Sequence, residues 1–196
     1  MGLESIPPGR IATIVTYLDM RARPKRAPMP DSPLRLVRWP APVDGEKYRT
    51  LFARIGGPWL WFSRLAMADE KLEAILRDDG VEIFAVEDRQ GIEVGMLELD
   101  FREAGQCELA YLGLVPELAG QGHGRWLMAE ALARAWRQDV ERVHVQTCTL
   151  DHPGALGFYI RSGFTPRGRA VESFDDPRLN GLLPREMAPH VPIIEG

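Results

Sequence analysis

Between Val81 and Val115 the chain reverses direction twice through very short connections, and no other stretch limits the fold as much. Val81 to Glu87, Ile92 to Phe101 and Cys107 to Val115 read as strands. Asp88 to Gly91 and Ala104-Gly105 read as the turns between them. Connections this short join antiparallel neighbours only, because a parallel pair needs a long crossover. The three segments therefore form a meander. The apolar period then changes from that of a strand to that of a helix. From Arg125 to Gln138, Leu127, Met128, Ala131, Leu132, Ala135 and Trp136 recur at helical spacing, with Glu130 and Arg134 in the favourable order on the outer face.

The flanking segments complete an α/β pattern. Arg10 to Met20 is rich in β-branched residues and reads as a strand, and Leu34 to Trp39 reads as a short second one. Asp44 caps a predicted helix that runs to Ile55, with Gly56 ending it, and a second helix fits Asp69 to Arg77. After the long helix, Arg142 to Thr149 reads as a strand. Pro153 suits the first turn of a further helix capped by Asp151 or His152, and Gly163 supplies its left-handed end. Phe164 opens a last strand before a Pro-rich tail. The expected fold is one α/β domain on a mixed, mostly antiparallel sheet flanked by helices. Its core spans about 81–174, with an N-terminal strand and Pro-rich loop at 1–33 and the tail at 175–196.

The chain has 196 residues, 45% of them apolar, which is enough to bury a sizeable core. A net charge of −4 gives no global basic field, so neither nucleic acid nor a membrane is an expected partner. Arg21, Arg23, Lys25 and Arg26 cluster but alternate with Ala and Pro, as in a solvated loop. Cys107 and Cys148 lack metal-ligand spacing; their number allows a disulfide, but they read first as free buried thiols, and no metal site is expected. Met1 to Arg10 lacks the pattern of a secretory signal, and no apolar run reaches membrane-spanning length. A cytoplasmic location is the expectation.

The segment from Leu114 to Arg125 joins the last meander strand to the long helix. It places Gly120, Gly122 and Gly124 at alternate positions just before the helix starts. Glycine lets a ligand approach the backbone closely, and the first N–H groups of a helix lack internal partners. Together with the helix dipole and Arg125, they suit a phosphate. A ligand-free turn stands as the bland alternative at this point. The dinucleotide Gly-x-Gly-x-x-Gly pattern and the Walker loop do not match.

These residues resemble the signature of the GNAT acetyltransferases, Arg/Gln-x-x-Gly-x-Gly/Ala. Gly122 and Gly124 match its small positions, and Ala119 stands where the family carries Arg or Gln. Leu114-Val115-Pro116-Glu117 resembles the stretch that precedes it. His152-Pro153-Gly154-Ala155-Leu156-Gly157-Phe158-Tyr159, followed by Gly163-Phe164, resembles the second signature, with His152 in place of Asn. The resemblance covers about Val81 to Phe174.

It implies acetyl-CoA as co-substrate and direct transfer to the primary amine of a small molecule or protein. The cofactor contacts it implies are Leu114, Val115, Gly120, Gln121, Gly122, His123, Gly124, Arg125, His152 and Phe158. It also implies a sheet splayed between Cys107–Val115 and Arg142–Thr149, a backbone N–H of Leu114 or Val115 for the thioester oxyanion, and Tyr159 as the acid facing the leaving thiolate. Glu108 is the candidate base. By the period-two rule it shares a strand face with Ala110, Leu112 and Leu114, and it aligns with the catalytic Glu of the histone-acetylating branch. Glu98 and His144 are the alternatives. Trp59, Trp61, Phe62 and Arg64 either line a pocket for an apolar or anionic acceptor or form a satellite core. A non-catalytic acyl-CoA-binding domain is the rival function, and a homodimer is compatible with the sequence.

Overall fold

The computed structural model describes residues 2–25 and 27–195. Arg26, the fourth member of the basic cluster, lies outside the described residues, as do Met1 and Gly196. The elements are β1 (Arg10–Met20), β2 (Arg35–Arg38), α1 (Gly45–Gly56), α2 (Asp69–Leu76), β3 (Val81–Glu87), β4 (Glu93–Asp100), β5 (Gln106–Leu114), α3 (His123–Ala135), β6 (Arg142–Cys148), α4 (Ala155–Arg161) and β7 (Thr165–Asp175). They build a seven-stranded sheet in the order β2-β3-β4-β5-β6-β1-β7. Only the β5–β6 pair is parallel. The crossover between those two strands is α3, as parallel pairing requires.

The helices follow from local chemistry. Asp44 caps α1 by accepting the Lys47 N–H at 2.7 Å. Tyr48, Leu51, Phe52 and Ile55 bury one face of α1 against the sheet, each worth about 1.5–3 kcal/mol. The helix does end at Gly56, but the glycine is needed for space. A Cβ there would lie 2.3 Å from the Trp61 ring, and it is Leu60 that takes the left-handed conformation. The long helix is shorter than its apolar spacing predicts, because Trp136 leaves helical geometry at ψ 82°. Helix α4 starts at Ala155 rather than Pro153, and neither Asp151 nor His152 caps it with a side chain. Its end is as expected: Gly163 adopts φ +102°, and the Phe164 N–H reaches the Tyr159 carbonyl at 3.1 Å.

Strand β1 lies inside the sheet, between β6 and β7. Leu18 and Met20 join the main core with residues of α1, α3 and β3 to β6. Its end is tied by Asp19, a buried carboxylate that meets Arg167 at 2.7 Å, Arg21 at 3.1 Å and Arg142 at 3.4 Å.

The Pro-rich tail is packed rather than loose. Buried Arg178 grips Asp176 and donates to the carbonyls of Met187, Ala188 and Val191. Leu183 and Ala188 then pack with Ile11 and Leu60 in a second apolar cluster. Both cysteines are free. Burial pushes the Cys107 thiol up to about 12, so it is inert.

Candidate active site

Strands β5 and β6 pair only from Gln106 to Glu108 against Arg142 to His144. Beyond Glu108 they diverge. The split opens into a cavity of about 840 Å³. Gly120, Gly124, Arg125, Phe158 and Arg161 of the α3–α4 side line it. So do Trp59, Trp61 and Phe62 of the loop after α1, Tyr111 of β5 and Phe174 of β7.

At the first side lies the glycine turn. Gly120 and Gly122 take φ +76° and +87°, which only glycine adopts without strain. Among the described residues, no acceptor meets the N–H groups from Gly120 to Gly124. Five adjacent donors, three of them in the first turn or cap of α3, thus face outward. Arg125 is exposed with no carboxylate partner among the described residues. Arg161, which sequence reasoning missed, adds a second cation from α4. A Cβ at Gly124 would meet the Phe158 ring at 3.9 Å, an ordinary contact, so packing against the ring does not demand glycine there. His123 departs from expectation. Its ring is off the cavity wall and meets the Ser32 hydroxyl at 3.1 Å, so only its backbone belongs to the turn.

Strand β5 provides the wall of the split. The Val115 N–H donates to the Val94 carbonyl at 2.9 Å, so it is not available as an oxyanion donor. Antiparallel bonds alternate along a strand, and Leu114, paired with Gly95, turns its own N–H away from β4 into the split. Of the two expected donors, only Leu114 keeps its N–H clear of β4.

A bulge at Ala110 corrects a second expectation. Glu98 pairs with Tyr111 and Leu99 with Leu109, leaving Ala110 unpaired. The extra residue reverses the side-chain alternation. Glu108 therefore shares a face with Tyr111 and Gly113, not with Leu112 and Leu114. It is half-buried and off the cavity wall, where burial and then the Asp100 charge raise its carboxyl above the ordinary range. His144 pairs with it across β6 and is likewise off the wall.

Tyr159 is buried on α4, and its ring lines the cavity. Its hydroxyl has no protein partner among the described residues. Burial, then the Asp151 charge, push the phenol well above its usual value, so it is a neutral donor across the working pH range. His152 lines the cavity, its ring 5.3 Å from Trp59, and its Nδ1 accepts the Gly154 N–H. Asp151 is a tie that sequence reasoning weighed only as a helix cap. Oδ1 accepts from Trp61 Nε1 at 3.0 Å, and Oδ2 accepts from the Thr147 hydroxyl and the Cys148 N–H.

The aromatic residues are both core and wall. Trp61 packs over Gly56 and Gly113 and lies tilted beside Tyr111, while Phe62 stacks on Phe174 at 4.3 Å. Arg64 does not face the cavity. It donates to Glu98 at 2.5 Å inside the protein, and Glu98 also takes the Tyr48 hydroxyl. That removes Arg64 as a partner for an anionic acceptor and Glu98 as a base. Among the described residues, no cluster of three or more His, Cys, Asp or Glu is arranged to hold a metal ion. No helix among them is long and apolar enough to cross a membrane.

Residues 48–164 match the sequence profile of the acetyltransferase (GNAT) family. The chain belongs to that family. Solved GNAT structures share its fold. A GCN5-related N-acetyltransferase from Sphaerobacter thermophilus superposes with a TM-score of 0.59 at 16% identity, over 84% of this chain and 52% of that one. A tandem GNAT protein from the clavulanic acid biosynthesis pathway gives 0.53 at 15% identity, over 84% and 53%. An aminoglycoside acetyltransferase from an uncultured soil metagenomic sample, solved with sisomicin, gives 0.55 at 20%, over 71% and 93%. The chain thus spans about half the length of the first two. No curated protein matches it in sequence. Acyl transfer is the chemistry for which that family is named.

Proposed function

We propose that this GNAT protein moves an acetyl group from acetyl-CoA directly to a primary amine. One observation carries the reading: the open N–H turn, the free edge of β5 and the Tyr159 hydroxyl all face a single cavity. The turn and the cations Arg125 and Arg161 fit a pyrophosphate. The edge of β5 past Glu108 offers strand-type hydrogen bonds to an amide-bearing arm. Acetyl-CoA supplies a thioester, whose thiolate is the leaving group.

The chain's own residues then have separable tasks. The Leu114 N–H lies where the edge is open and is assigned to the developing oxyanion. Tyr159 is assigned to the leaving thiolate. A phenol of pKa ~10 is already a weaker acid than a thiol of ~8.5, and burial raises this one further. A hydrogen bond that strengthens as the thiolate forms therefore fits better than complete proton transfer. Glu108, off the wall, is not assigned the base. An alkylamine of pKa ~10.4 is neutral in only about one molecule in 2,500 at pH 7, so turnover is expected to climb with pH. A cytoplasmic location agrees with two free thiols.

The test is thiol release from acetyl-CoA with a panel of primary amines, together with detection of the acetylated amine by mass. Amine-dependent release with matching product supports the reading. CoA binding without transfer to any amine would leave a binding domain instead.

A further inference from the structure

The walls of the cavity differ sharply in charge from one end to the other. Its cations, Arg125 and Arg161, both belong to the α3–α4 side that carries the phosphate turn. The opposite end is built from Trp59, Trp61, Phe62, Tyr111 and Phe174, and no Lys or Arg lines it among the described residues. Two carboxylates do. Asp151 has both oxygens engaged by Trp61, Thr147 and Cys148. Glu172 is different: it is exposed on β7, opposite Thr13, and has no ion-pair or hydrogen-bond partner among the described residues.

Strand alternation puts Glu172 on the same face as Phe174, two residues on. Phe174 stacks on Phe62. One open carboxylate therefore stands at the rim of a group of aromatic rings. These rings are held before any acceptor arrives. Trp61 is pinned through its N–H, Trp59 lies between His152 at 5.3 Å and His190 at 6.2 Å, and the tail gripped by Arg178 supports the loop from behind.

We infer that the acceptor is an aromatic primary amine carrying no anionic group, with its ring among Trp59, Trp61 and Phe62, and that Glu172 draws its ammonium to the cavity rim before the amine gives its proton to solvent and reaches the thioester. This rests on the acyl-transfer reading above. Flat apolar groups gain area and ring contacts there. A cation near the ring faces gains a further attraction. A carboxylate or phosphate on the acceptor meets the opposite situation. It loses water, finds no Lys or Arg at that end among the described residues because Arg64 is bound to Glu98, and is repelled by Glu172. The site thus selects partly by what it rejects.

The experiment compares 2-phenylethylamine with phenylalanine, which differ by one carboxylate, and with butylamine, which lacks the ring. Binding to the CoA-saturated protein is measured by calorimetry for the parent and for Glu172→Gln, with melting curves to show that the variant is folded. The expected order is phenylethylamine over both others by roughly tenfold or more, the scale of one charge contact or one ring placement. Glu172→Gln should weaken phenylethylamine and narrow the gap to phenylalanine. Phenylalanine binding as well as phenylethylamine, an unchanged gap in Glu172→Gln, or no binding of phenylethylamine would overturn the inference. Thiol release is read separately. An amine that binds in the expected order but is never acetylated counts against acyl transfer, not against the aromatic-amine site.

Discussion

Trp61 and Asp151, ninety residues apart in sequence, are joined by a 3.0 Å hydrogen bond from the indole N–H to the carboxylate. This bond links the loop after α1 to the loop that leads into α4. The same carboxylate holds the end of β6 through Thr147 and Cys148. The two walls of the cavity are thereby fixed to each other through one side chain.

Replacing Asp151 by Ala should therefore act on both walls. It leaves the Trp61 N–H, the Thr147 hydroxyl and the Cys148 N–H without their acceptor, at about 1–3 kcal/mol for each group that stays buried. Trp61→Phe keeps most of the packing and should cost less. Urea denaturation of both variants checks the order. Equal stabilities of the two variants would mean that the Asp151 contacts to Thr147 and Cys148 add nothing.

The glycine turn separates conformation from ligand approach. Gly122→Ala places a Cβ at φ +87° and should cost about 1–2 kcal/mol. Gly124 is helical, so Gly124→Ala should gain about 0.5–1 kcal/mol. If the cofactor's phosphates contact this backbone, Gly124→Ala will nevertheless bind CoA more weakly while melting higher. Calorimetry with CoA beside thermal melts reads both. Unchanged affinity in Gly124→Ala would remove that residue from the contact.

Acid should weaken the sheet through Asp19. Burial alone would raise its carboxyl, but hydrogen bonding to Arg167 and the charges of Arg167, Arg21 and Arg142 outweigh burial and hold it below the ordinary range. A depressed carboxylate adds stability that is complete above its unfolded value of ~3.9 and disappears as pH falls through the folded value. Asp176, held down by Arg178 against its own burial, follows the same sign. Stability measured from pH 6 to pH 2 should fall in this window, and Asp19→Asn should flatten the fall. An Asp19→Asn curve parallel to the parent's would exclude this source.

Local features were legible in the sequence, and long-range ones were not. The meander, the turn at Gly120 to Gly124, the Asp44 cap and the Gly163 helix end follow from patterns a few residues long. The position of β1 between β6 and β7 does not. Strand composition states that Arg10 to Met20 is a strand but not which open edges it fills. The bulge at Ala110 has no glycine or proline to mark it, yet it moves Glu108 to the other face of β5. The tail reads only as Pro-rich, with no pattern to say where it packs, whereas one buried arginine organises it. Glu172 and Phe174 reach the cavity only because β7 runs beside β1. The family match from residue 48 takes in α1 and α2, which the two sequence signatures alone did not reach.

Arg178→Met tests the tail. The substitution leaves Asp176 buried without its cation, which in other buried pairs costs about 3–5 kcal/mol. Release of the tail should also loosen Leu60 and Trp59 and raise the acceptor KM more than the acetyl-CoA KM. Equal effects on both constants would show that the tail does not shape the acceptor end.

The most direct measurement is kcat for Tyr159→Phe with one confirmed amine, across pH, beside acetyl-CoA affinity and melting temperature. The hydroxyl has no protein partner among the described residues and the ring keeps its packing, so stability and acetyl-CoA affinity should hardly change. A donor that strengthens its bond to the thiolate late in the reaction is expressed in kcat. The account predicts a loss of roughly 10²-fold, the lower range for a catalytic donor, that high pH does not restore. A Tyr159→Phe variant with the parent's kcat at every pH would contradict it.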